Sequence, residues 1–84
     1  MKVGDKVRIA PHHVSDVLAD NLANMDEGDI TQARGDAIES LVQSNAVFVI
    51  AAVESGGFVL RPEKATWTIY GIHDENDLVL VARS

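Results

Sequence analysis

Eight consecutive apolar residues, Ala46-Val47-Phe48-Val49-Ile50-Ala51-Ala52-Val53, restrict the fold of this chain more than any other stretch. The run is far too short to cross a bilayer as a helix, and its Val, Ile and Phe content at strand length reads as a β-strand buried on both faces. Such a strand needs a cover on each side. Glu54-Ser55-Gly56-Gly57 then turns the chain into Phe58-Val59-Leu60-Arg61, a hairpin marked by its glycine pair. Leu78-Val79-Leu80-Val81 makes the same two-sided demand. It follows Asp74-Glu75-Asn76-Asp77, whose side chains bond their own backbone and favour a turn.

Two further segments read as half-buried strands. In the opening stretch Val7 and Ile9 share a face with Val3 and Asp5, while Gly4, Lys6 and Arg8 point the other way. Thr66-Trp67-Thr68-Ile69-Tyr70 alternates as well, which puts Trp67 and Ile69 on one face and Thr66, Thr68 and Tyr70 on the other. Pro62-Glu63-Lys64-Ala65 is a kinked connection into that Trp strand.

Between the first strand and the apolar run the period changes to that of a helix. Pro11 keeps Ala10 extended and leaves His12 and His13 on a loop. Val14, Val17, Leu18, Leu22 and Met25 then recur at three and four, giving a first helix over about residues 15–25 with Ser15 as N-cap. Gly28 breaks it. Ile30, Ala33, Ala37, Ile38, Leu41 and Val42 carry a second helical region to Asn45, either through Gly35 at a cost of about 1 kcal/mol or with a break there and a fresh cap at Asp36. The apolar stripes of this insertion, about residues 14–45, match the bare side of the strands. Docking of the helices there is the economical expectation, and contact with a second copy is the rival.

With these elements in place, the chain resembles the small SH3-like barrels of bacterial and prophage proteins. The resemblance is carried by Val3-Gly4-Asp5-Lys6-Val7-Arg8-Ile9, by the Ser55-Gly56-Gly57 hairpin, by the Trp67 strand, and by the acidic turn leading into Leu78-Val79-Leu80-Val81. In that family the turn is a single 3₁₀ turn. The resemblance implies a mainly β, α+β domain spanning residues 1–84: a barrel of about five antiparallel strands, with the two-helix insertion between strands 1 and 2.

Charge separates the two parts of the chain. Between Val14 and Asn45 the carboxylates of Asp16, Asp20, Asp26, Glu27, Asp29, Asp36 and Glu39 face one cation, Arg34, so the insertion carries the whole net charge of −6 and the remainder is neutral. An acidic balance of 13 against 7 argues against direct nucleic-acid binding, which needs clustered Lys and Arg. The chain has no cysteine and an opening without an apolar leader, and from these a cytoplasmic protein is expected.

No catalytic signature emerges. The serines lie in no nucleophile motif, Gly56-Gly57 lacks the following Lys-Ser/Thr of a phosphate loop, and His12, His13, Asp16 and His73 have no metal-ligand spacing, so the histidines read as solvated loop residues. A non-enzyme with neither cofactor nor metal is expected, a monomer or weak homodimer working away from membranes. Trp67 and Tyr70 are the aromatic side chains with polar handles, of the kind that line a peptide groove. The carboxylates Asp16, Asp20, Asp26, Glu27 and Asp29 suit a basic partner. The expected function is therefore a protein-interaction module for a basic or peptide-like partner. The alternative is an acidic, phage-type inhibitor that occupies the nucleic-acid-binding surface of an enzyme.

Overall fold

A computed structural model describes residues 1–26, 32–69 and 71–84, with the main chain alone for 24–26 and 32–33. Its strands are β1 (Lys6–Ile9), β2 (Phe48–Glu54), β3 (Gly57–Pro62) and β4 (Leu78–Ala82), joined in one antiparallel sheet of order β3-β2-β1-β4. Two helices, α1 (Val14–Asp26) and α2 (Gln32–Gln43), lie in the chain between β1 and β2. The protein is thus α+β, with the helices where the change of period put them.

Both helices cover the same face of the sheet. Val17 of α1 and Ile38 and Val42 of α2 close a buried cluster with Val7, Ile9, Phe48, Ile50, Leu60 and Leu78. The opposite face of β2 is covered differently. Val49 pairs with Lys6 on one side and Arg61 on the other, and the stems of these long side chains shield it. Their charged ends are held by bonds of their own. Lys6 Nζ lies 2.8 Å from Glu63 Oε2, and the Arg61 guanidinium donates to the carbonyls of Pro62, Glu63 and Ala65. Val49 of the apolar run therefore receives its cover from charged residues of neighbouring strands.

The helix boundary differs from expectation at the start of the insertion and agrees with it at the end, near Asn45. Pro11–His13 form a 3₁₀ turn that runs straight into α1, so Ser15 lies inside the helix and caps nothing. Pro11 at the first turn has its φ preset and needs no N–H partner there. Ala10 stays extended, at φ −61° and ψ 144°. Leu22, expected on the buried stripe, is exposed, because α1 turns Asn21 toward its neighbour instead. Helix α2 passes unbroken through Gly35, which is buried and whose carbonyl accepts a bond from Asn21 Nδ2 at 3.0 Å. A residue without a side chain at this crossing lets α1 lie close. At its far end α2 closes in a Schellman motif: Asn45, at φ +58°, donates to Val42, and Ala46 donates to Leu41.

The Trp segment is the main departure from the expected strands. Thr66–Ile69 are irregular, although the expected faces persist: Ile69 is buried and Trp67 half-buried, with Thr66 and Thr68 exposed. Arg61 draws the preceding carbonyls into a knot, and Gly71 at φ +101° bends the chain. What remains is an incomplete ladder along β3, with the Ile69 amide on the Leu60 carbonyl and a two-way bridge between Phe58 and His73. The bridge depends on Gly57, where a Cβ would stand 2.5 Å from the His73 carbonyl oxygen. Downstream, Glu75–Asp77 form the 3₁₀ turn expected before the last strand. The two ends of the chain are tied by Asp5, 2 % exposed, whose carboxylate accepts the amides of Ser84 (2.9 Å) and Lys2 (3.0 Å). These bonds, that of Ser84 first, hold its carboxyl below the ordinary aspartate range against the opposing effect of burial.

Candidate partner-binding surface

Trp67 lines an apolar pocket of about 380 Å³ between α2 and the Pro62–Ala65 connection. One wall follows from the helix cap, since the Schellman motif brings Leu41 and Ala46 together beneath the mouth. Val47 continues that wall, and Pro62 and Ala65 form the opposite one. The loop keeps its shape because Arg61 bonds three of its carbonyls, while Glu63 ties it to β1 through Lys6. That ion pair holds the Glu63 carboxyl below its usual range. The guanidinium of Arg34 stands 5.2 Å from the centre of the Trp67 ring, within cation–π range. The indole therefore packs on the core with one part, meets a cation with another, and shows the rest to the pocket.

The acidic residues lie elsewhere. Asp16 and Asp20 stand exposed on the flank of α1 that meets residues 71–77. The side chain of Asp26 is not described, and Glu27, Asp29 and Tyr70 fall outside the described residues. Asp36 and Glu39 are exposed on α2, where with Ser40 and Gln43 they line a shallow depression. Trp67 and the described acids do not converge: the aromatic pocket and the α1 carboxylates occupy different seams of the insertion.

At the α1 seam the structure gathers all three histidines. His73 is buried, and its Nδ1 lies 3.2 Å from Nε2 of His13, the two rings meeting edge to face at 5.4 Å. His13 Nδ1 lies 3.6 Å from Asp77 Oδ2 and 3.7 Å from Asp16 Oδ2. His12 Nε2 is 2.9 Å from the other oxygen of Asp77. On the far side, the position of a Gly71 Cβ would lie 3.8 Å from His73 Nε2 and 3.9 Å from Asp20 Oδ2. The expectation of solvated loop histidines holds for His12, which is exposed, and fails for His13 and His73. The error has a plain cause: His13 and His73 are 60 residues apart, and no local pattern announces their meeting.

This seam can fasten the turn before α1 to residues 73–77. A bond between two imidazoles needs one ring to donate and the other to accept, so it forms only in a matched pair of tautomers or protonation states. Among the described residues no three His, Asp or Glu side chains are placed to hold a metal ion. Among them, too, no helix is long and apolar enough to cross a membrane. Comparison with known proteins finds no matching family model, curated protein or solved structure.

Proposed function

We propose that this chain is a non-catalytic protein-interaction domain of the SH3-like type, which takes a peptide-like partner by seating an apolar side chain in the Trp67 pocket. The pocket itself carries the reading: it is concave, mostly apolar, and lined by an indole that keeps part of its surface for a guest. The SH3-like assignment is supported by the strand order β3-β2-β1-β4, by the 69–73 segment running beside β3, and by the 3₁₀ turn into β4. A cysteine-free chain of this composition suits the cytoplasm. Selection from a random-peptide display library on the immobilised domain tests the reading. We expect enriched sequences with a common apolar anchor, bound nearly alike at low and high salt and lost with Trp67→Ala in a variant whose circular dichroism is unchanged. Enrichment indifferent to Trp67→Ala would refute it.

A second reading has an observation of its own. Arg34, the one cation of the insertion, lies over Trp67, and Asp16, Asp20, Asp36 and Glu39 are exposed on the helices. Such a surface suits a basic protein and, in the alternative function, the nucleic-acid-binding surface of an enzyme. Binding to a basic partner would then fall steeply with salt and with Asp16→Asn and Asp20→Asn, while Trp67→Ala would leave it intact.

A further inference from the structure

The two edges of the sheet are finished differently. Along β3 the chain covers its own edge, through the Ile69 amide and the Phe58–His73 bridge. Along β4, among the described residues, no main-chain bond reaches the outer side. The residues there are apolar and uncovered, with Val79 49 %, Leu80 36 % and Val81 40 % exposed. Of the devices that usually blunt an open edge, residues 78–82 contain no Lys, no Pro and no inward charge. The register bulge between Lys6 and Val7 falls only at the far end of the strand.

The direction of the main chain is fixed by its neighbour. Ala10 donates to the carbonyl of Asp77 at 2.9 Å, and Val79 pairs with Arg8, so the polar main-chain groups of Asp77 and Val79 face β1. Those of Leu78 and Leu80 face outward, by the alternation of an antiparallel ladder. The ends of the strand carry opposite charges. Asp74, Glu75 and Asp77 precede it and Arg83 follows it. Asp77 is engaged by His12 and His13, whereas Glu75 and Arg83 are in no ion pair among the described residues.

We propose that the open edge of β4 pairs antiparallel with β4 of a second copy, about a two-fold axis through Val79. Leu78 of each copy then exchanges N–H···O bonds with Leu80 of the other, and the two sheets become one. The antiparallel arrangement lays Arg83 of each copy alongside the acidic turn of its partner, where the Glu75 carboxylate receives it. A parallel pairing would set like charges together at both ends. The strip is short, so the association is weak and reversible, of the small-interface class.

Sedimentation of the full chain over a concentration series, with circular dichroism on each variant, tests the pairing. The wild-type chain should pass from monomer to dimer as concentration rises. Leu80→Lys should raise the dissociation constant at least about tenfold. Arg83→Glu alone and Glu75→Arg alone should each sediment as monomers, because each homodimer would repel at both ends. Mixed in equal amounts, these two variants should dimerise, since each supplies the charge that the other lacks. A wild-type chain monomeric throughout, a dimer indifferent to Leu80→Lys, or a mixture no more associated than its components would overturn the proposal.

Discussion

The inserted helices meet the rest of the chain along two seams of opposite chemistry. Helix α2 is held by apolar packing, with Ile38 and Val42 in the core and Leu41 at the edge of the Trp67 pocket. At the start of α1, Val17 enters the same core, but His12 and His13 of the preceding turn fasten to His73 and Asp77 through imidazoles and a carboxylate. Apolar packing is strong and indifferent to direction, so it tolerates a vacant pocket at its margin. A polar seam is weaker per contact and depends on geometry. Attachment by packing and attachment by directed polar contacts thus sit on different helices.

Substitutions can break this contrast in order of size. The largest effect is expected at the α2 seam: Ile38→Ala, at a position 1 % exposed, should destabilise the fold by about 2–5 kcal/mol in urea titration. A smaller loss would mean that α2 is less firmly packed than the contrast requires. Next is Gly57→Ala, which forces a Cβ against the His73 carbonyl and shifts the segment that presents His73 to His13. We expect about 1–3 kcal/mol, as for overpacking elsewhere, together with a changed His73 imidazole resonance in NMR. His13→Ala should cost less, about 1 kcal/mol, the order of one net hydrogen bond, because the ring gives up its bond to His73 but is not among the residues that fill the core. If His13→Ala cost as much as Ile38→Ala, the polar seam would be the stronger one and the contrast would reverse.

The smallest effect sharpens the comparison through pH. Asp5 lies in neither seam, and its folded-state carboxyl is depressed, so its contribution is present above the ordinary aspartate pKa. That contribution is lost as pH falls through the lower folded value. Between neutral and acid pH the wild-type chain should therefore lose stability that Asp5→Asn lacks from the start, with the two curves converging in acid. Thermal melts across that range would show it. Curves that stay parallel would remove Asp5 from the account.

Much of the fold could be read directly. The glycine pair marked the hairpin, the eight-residue apolar run gave β2, and the change of period between Ala10 and Asn45 gave two helices, because each signal is local and repeats along the chain. The candidate surface was legible only in part. Trp67 stood out as an amphipathic aromatic, but its pocket depends on Leu41, Ala46 and Pro62, which meet only after the α2 cap and the Arg61 knot are formed. His73 was read as solvated because nothing within a few residues of it shows that Phe58 and His13 will bury it. Gly57 looked like turn chemistry, whereas its missing side chain makes room for a distant carbonyl.

Composition and order determined by themselves that this chain has short strands, an acidic helical insertion and a neutral remainder, since charge and period belong to the chain whatever its path. Tertiary structure alone decided which histidines are buried, that charged stems shield Val49, and that β4 is the edge left open. These are meetings between residues far apart in sequence, set by which faces could be covered at once, and no local preference encodes such a meeting.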